Sequence, residues 1–292
     1  MPTITSAVEV ERLTPAIGAR VRGIDLGCPM SEAAAADLRS LLVQYKVLFF
    51  AGQELDPNAH VRLGRLFGTL TASHPVMAPL DAEHPEVWEI DSYTEVRNDQ
   101  WHTDVTFVPR PPAIGVLRAV RVPRFGGDTL WADLESAYES LPADLARRID
   151  GLWGVHDGSD EFAAMLAARG GVGNRWDGVA YQALQRVRHP VVRVHPETGR
   201  RSLFVNPGFT RRIDGLSEPE SRELLATLFD HILRPEFQVR HRWSPGDVVI
   251  WDNRSTAHYA TYDYGDFRRI MHRVTVRGDA PVGPASPERA VL

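Results

Sequence analysis

The sequence predicts a mostly β protein with peripheral helices, built on a two-sheet barrel of the jelly-roll type. Three observations lead there. Short strand-like segments dominate the second half of the 292-residue chain. Helical segments are concentrated early and otherwise come as single insertions, which suits a strand-built core with helices packed outside. Strict strand–helix alternation and a Gly-rich phosphate loop are both missing, which sets aside a doubly wound α/β fold.

Each element has a local reason. Ser31 opens SEAAAADLRSLLVQY, where a good N-cap precedes apolar residues at helical spacing. KVLFFAG reads as a buried strand. DPNAHVRLGRLFG reads as a second helix, capped by Asp56 and stopping near Gly68. EVWEIDSY, residues 86–93, alternates like a strand, and AIGVLRAV and DTLWADL follow as strands around PRFGG. ESAYESLPADLARRIDG is helical with an interruption at Pro142. Residues 158–178 are dense in glycine and read as a mobile loop or lid. VVRVHPETGRRSLFVN reads as a hairpin turning at ETG. SEPESRELLATLFDHIL is an amphipathic helix, with Ser217 as cap and Glu220 three residues on. QVRHRW, DVVIWDN and RRIMHRVTV complete the strands. The predicted organisation is one domain over 1–280, with a lid or insert near 158–178 and a loosely ordered Pro- and Ala-rich tail over 281–292.

Composition narrows the function classes. A net charge of −5, from 33 Lys+Arg against 38 Asp+Glu, gives no reason to expect nucleic acid as a partner. Cys28 is the sole cysteine, so no intrachain disulfide forms, in keeping with a reducing cytoplasm. The N-terminus lacks a basic start followed by an apolar core, and no apolar run approaches the roughly 20 residues of a membrane helix. A cytoplasmic protein without membrane association is the expectation.

Chemistry centres on WHTDVTF, residues 101–107. On an extended chain His102 and Asp104 point to the same side. A metal clamp and a hydrogen-bonded couple both fit that pair, and HPE at His84 and at His195 offers rivals, both in Pro-containing turns that suit a surface loop. His258, in WDNRSTAHYA, adds a second imidazole. Two His and one carboxylate form the facial triad of non-haem Fe(II) oxygenases, which leaves three metal positions open. Zinc hydrolases use related ligands, so the three residues alone leave both classes standing.

RRIMHRVTV separates the two. Extended, it puts Arg269, Met271, Arg273 and Thr275 on one face, and the two arginines lie about 13 Å apart at roughly 3.3 Å per residue. They suit two different anions, each matched to a planar guanidinium fork. A hydrolase has no evident need for a fixed anion grip beside its metal, whereas an oxygenase using 2-oxoglutarate does.

At these residues the chain resembles the bacterial Fe(II)/2-oxoglutarate-dependent taurine dioxygenase family. WHTDVTF, FGGDTLWADLESAYESL, HPVVRVHPETG, LFVNPGFTRRI, PEFQVRHRWSPGDVVIWDNRSTAHYA and RRIMHRVTVRGD carry the resemblance over most of its length. The resemblance implies a double-stranded β-helix core. It implies Fe(II) on His102, Asp104 and His258, with 2-oxoglutarate and O2 as cosubstrates. It implies Thr129 and Arg269 on the far carboxylate of 2-oxoglutarate. His74, Arg273 and the Val105 N–H would face a substrate sulfonate, with Asn98 and Phe209 at further pocket positions. The implied reaction hydroxylates the carbon next to sulfur in taurine or a related sulfonate, releasing sulfite, an aldehyde, succinate and CO2. A related branch attacks alkyl sulfate esters. Halogenating relatives lack the carboxylate ligand, so Asp104 argues against that outcome. A homodimer or homotetramer is implied by analogy.

Two departures touch the substrate end. Taurine-preferring relatives have Tyr three residues after the pocket His, where this chain has Met77, which donates no hydroxyl hydrogen bond. The Gly-rich 158–178 segment also departs from the family pattern. The alternatives are therefore an alkylsulfatase-type dioxygenase and, from another class, a non-catalytic jelly roll that holds a metal and an anion.

Overall fold

The computed structural model describes residues 8–284 except 73, 78, 95–98, 160–161, 164–166, 168–171, 177–178 and 183–185. In chain order the elements are β1 (Glu9–Arg12), β2 (Ala19–Arg22), α1 (Glu32–Tyr45), β3 (Val47–Phe50), α2 (Pro57–Arg65), β4 (Trp88–Asp91), β5 (Ile114–Arg121), β6 (Thr129–Asp133), α3 (Leu134–Glu139), α4 (Ala143–Ile149) and β7 (Trp153–His156). There follow β8 (Val172–Trp176), β9 (Val179–Gln182), β10 (Val187–Pro190), β11 (Val192–Val194), β12 (Arg201–Leu203), β13 (Thr210–Ile213), α5 (Glu218–Ile232), β14 (Gln238–His241), β15 (Val248–Asp252), β16 (Thr256–Ala260) and β17 (Ile270–Val276).

The larger sheet runs β1-β2-β3-β15-β5-β17-β4, and a smaller one opposes it in the order β14-β6-β16. Sequence explains why both faces of the larger sheet are dry. Leu48, Phe50, Val116, Val248, Ile250 and Val274 pack outward under α1 and α2. Their neighbours Val47, Phe49, Leu117, Val249, Trp251 and Met271 point inward, against Trp131, Val239 and Trp243 of the smaller sheet and its flank. The period-2 pattern thus feeds two cores from near-continuous apolar runs. α5 covers the outer face of the smaller sheet through Leu224, Leu225, Leu228 and Ile232, packed with Ala132 and Ala257. This is a jelly-roll core with helices outside.

The caps fall where the residues demand. Ser31 accepts the Ala34 N–H, Asp56 accepts the Ala59 N–H, and Ser217 with Glu220 forms a capping box. Pro142 divides the predicted third helix into α3 and α4, serving as the residue before α4. α2 ends at Arg65, a turn before Gly68. The 158–178 segment is not purely a loop. It contains β8, paired antiparallel with β9, and much of its remainder lies outside the described residues. Among the described residues no helix is long and apolar enough to cross a membrane.

Candidate active site

Strand pairing brings the two distant histidines together. His258 lies in the middle of β16, opposite Trp131 of β6. On the other edge of β16 it exchanges backbone hydrogen bonds with His102, N to O at 2.9 and 2.7 Å. Residues paired in this way share a face, and the two imidazoles stand 4.1 Å apart between centroids. Asp104, two residues on, returns to the same side. Its Oδ1 lies 3.6 Å from His102 Nε2 and 3.5 Å from His258 Nε2. One ligand atom from each residue falls within a 4.8 Å cluster, and all three residues are buried.

The surroundings prepare these atoms for a cation. His102 Nδ1 lies 2.8 Å from the Gln100 carbonyl. A carbonyl only accepts, so Nδ1 carries the proton and the Nε2 lone pair faces the cluster. Burial, with His102 beside it, holds His258 well below the usual imidazole range, which favours the neutral form that binds metal. Gly208 permits close approach, since a Cβ there would sit 2.9 Å from His102 Cβ. Two imidazole nitrogens and one carboxylate oxygen match the donor set of a non-haem Fe(II) centre.

The backbone beside Asp104 is unusual. Val105 has φ of 53°, in the left-handed region that β-branched residues avoid. Such a conformation costs roughly 1–3 kcal/mol and persists only where neighbours enforce it. Asn253, at the end of β15, is one of them. Its Oδ1 accepts the Asp104 N–H at 2.9 Å, and its Nδ2 donates to the carbonyls of Asp104 and Pro112 at 3.2 and 2.8 Å. Thr103 donates to Thr256 O, and Thr106 is tied to His156 and Asn206.

Arg269, directly before β17, and Arg273, within it, are both buried and line the same cavity as the three candidate ligands. Arg269 donates from Nε to Gly127 O at 3.2 Å and leaves Nη2 without a hydrogen bond. Burial pulls it down to about 10, against the opposing pull of Tyr264 and Asp128. Trp243 sits 6.0 Å from its guanidinium and donates to Thr129 Oγ1 at 2.9 Å, so one indole buttresses both residues. Arg273 lies between two indoles, 5.0 Å from Trp88 and 4.6 Å from Trp251, and forms an ion pair with Asp104. Trp251 needs Gly115 opposite, where a Cβ would come within 2.3 Å of its ring. Burial pushes Arg273 down to about 9, still a cation at neutral pH.

His74 reaches the cavity from the far side. Its Nδ1 accepts the N–H groups of Val76 and Met77, at 3.1 and 3.2 Å, so Nε2 carries the proton. The ring stacks on Trp88 at 4.9 Å. Phe209 meets His102 edge-on at 5.9 Å. The structure thus gathers His102, Asp104, His258, Thr129, Arg269, His74, Val105, Phe209, Arg273 and Met77 around one cavity, while Asn98 lies outside the described residues.

Sequence reading misplaced one histidine and overlooked several supports. His195 is not on a surface loop. It is buried, and its Nε2 meets Asp252 at 3.0 Å. Burial alone would raise the Asp252 carboxyl, but Arg254 and His195 hold it well below the usual carboxylate range. Asn253, Trp88 and Trp251 were also missed. The only signal for Asn253 was its place directly after an apolar strand, in WDN.

A match to known proteins now decides the family. Residues 9–275 match the model described as "Taurine catabolism dioxygenase TauD, TfdA family". The chain belongs to the TauD/TfdA family. Among its relatives, an "Alkylsulfatase" of Acinetobacter baylyi is 38% identical over 96% of this chain and 88% of its own length. An "Alpha-ketoglutarate-dependent sulfate ester dioxygenase" of Pseudomonas putida is 39% identical over 94% of this chain and 91% of its own. A solved taurine dioxygenase from Burkholderia xenovorans superposes with a TM-score of 0.81 at 39% identity, covering 96% of this chain and 94% of that one. This TauD/TfdA member is a 2-oxoglutarate-dependent non-haem iron dioxygenase, with Fe(II) as cofactor and 2-oxoglutarate (alpha-ketoglutarate) and O2 as cosubstrates.

Proposed function

We propose that this enzyme oxidises small organosulfur anions with an apolar body, with alkyl sulfate esters ahead of taurine. The observation that carries this reading is the wall beside His74 and Arg273. Val76, Val105, Phe107, Phe162 and Phe209 are buried as one cluster, and Met77 joins the lining. An ammonium group there would lose water and meet thioether and ring carbon. An alkyl chain would gain about 0.8 kcal/mol per buried methylene. The sulfate-ester relatives support the same choice.

In this reading His102, Asp104 and His258 hold Fe(II). Thr129 and Arg269 fix the far carboxylate of 2-oxoglutarate. Arg273, His74 Nε2–H and the Val105 N–H receive the sulfate, and Phe209 packs against the bound chain; Asn98 keeps the pocket role that the family resemblance gives it. When bound, iron with 2-oxoglutarate supplies O2 activation and yields succinate and CO2. The protein's own residues orient the substrate and exclude water. Hydroxylation at the carbon bearing the ester oxygen gives a hemiacetal sulfate, which collapses to an aldehyde and sulfate. A sulfonate hydroxylated next to sulfur would release sulfite instead. Residues 1–280 act as one dioxygenase domain, and Phe162 brings the 158–178 segment to the cavity lining.

One observation favours taurine. Asp99 lines the cavity and could pair with an ammonium. A panel of alkyl sulfates, alkanesulfonates and taurine, assayed by succinate formation with Fe(II) and 2-oxoglutarate, separates the readings. We expect medium-chain alkyl sulfates to give the highest kcat/KM. Turnover of taurine alone, with sulfite release, would overturn this ranking.

A further inference from the structure

We propose that Asn253 is a positioning residue that aims the Val105 N–H into the substrate cavity. This inference rests on the reading above, in which that N–H meets the substrate anion.

The geometry comes from one peptide plane. The Asp104 carbonyl and the Val105 N–H belong to the same trans peptide and point in opposite directions. Asn253 Nδ2 holds that carbonyl at 3.2 Å, so the N–H is directed away from Asn253. Asn253 Oδ1 holds the Asp104 N–H at 2.9 Å, fixing the residue from its other side. Its second Nδ2 hydrogen goes to Pro112 O, and its own N–H donates to Ala113 O at 2.8 Å, so the amide cannot swing away. Val105 lines the cavity, and its N–H has no acceptor among the described residues. Directly after the clamp, φ of Val105 is 53°. A β-branched residue does not choose that conformation, so the clamp has work to do. Asn253 is 1% exposed and touches none of the three candidate ligand side chains through its own amide.

Two measurements test this, and they fail independently. The first compares Asn253→Ala with wild type. Alanine offers neither the acceptor for the Asp104 N–H nor the donor to its carbonyl. We expect KM for decyl sulfate to rise at least tenfold, while KM for 2-oxoglutarate and Mn(II) affinity stay within threefold. An unchanged substrate KM, or equal losses for all three ligands, would overturn the proposal. The second needs no substrate. Glycine adopts positive φ without strain, so Val105→Gly should make the clamp less necessary. We expect Asn253→Ala to lower Tm less in the Val105→Gly protein than in wild type. Equal losses in the two backgrounds would overturn it. If wild type turns over no sulfate ester or sulfonate, the functional reading fails while the Tm cycle still judges Asn253.

Discussion

Arg269, directly before β17, and Arg273, within it, line the same cavity, yet the structure treats them differently. Arg269 leans on a backbone carbonyl and keeps one amino group without a hydrogen bond. Arg273 is sandwiched by two indoles and ion-paired with Asp104, one of the three candidate metal ligands. The first is fixed by neutral partners and can take an anion without giving up a charge partner. The second shares its charge with a candidate metal ligand, so an anion arriving there would also alter the field at Asp104. Under the proposed function, these different neighbours would give two residues of one type, four apart, separate duties.

Removing each arginine in turn should separate the two. Arg273→Ala should lose about 2–5 kcal/mol of binding for the sulfur substrate while keeping 2-oxoglutarate, and Arg269→Ala should do the reverse. Titrating both ligands calorimetrically into the Mn(II)-loaded variants checks it; parallel losses would merge the two roles.

Titration with pH acts on folding stability rather than on ligand binding, and it should not arise from either arginine. Burial pushes His60 down to about 3 and His189 to about 4, against 6.5 for a free imidazole. Below pH 6.5 the unfolded chain binds protons that these folded histidines refuse, so stability is full above that pH and falls toward pH 4. The slope is about 1.4 kcal/mol per pH unit for each histidine. Denaturant melts of wild type and Arg273→Ala should show the same slope over that window. A slope that vanishes with Arg273 would make the arginine the pH-sensitive element.

A smaller effect sharpens the contrast. Trp88 faces Arg273 but is not among the rings over Arg269. Trp88→Leu should weaken substrate binding by about 1 kcal/mol, roughly fivefold, through lost cation–π attraction. Its KM for 2-oxoglutarate should not move. A matching change in both constants would show that the indole serves the fold at large.

Much of this was legible in residue order. Ser31, Asp56 and Ser217 announce their helices because capping is local chemistry. His102 and Asp104 share a side because an extended chain alternates. That His102 and His258 meet was legible only through the family resemblance, since the contact depends on strand pairing across 156 residues. His195 misled for a related reason. HPETG has the composition of an exposed turn, but the hairpin folds that histidine under Arg254 and Asp252. The role of Asn253 and the positive φ of Val105 leave no local trace, because each is imposed by the other segment. The strand Val172–Trp176 was hidden by the glycines around it.

If His102, Asp104 and His258 form one metal site, calorimetric titration of Mn(II) into wild type and His258→Ala will show it. We expect one ion per chain for wild type and at least a hundredfold weaker binding for the variant. Undiminished binding by His258→Ala would contradict it.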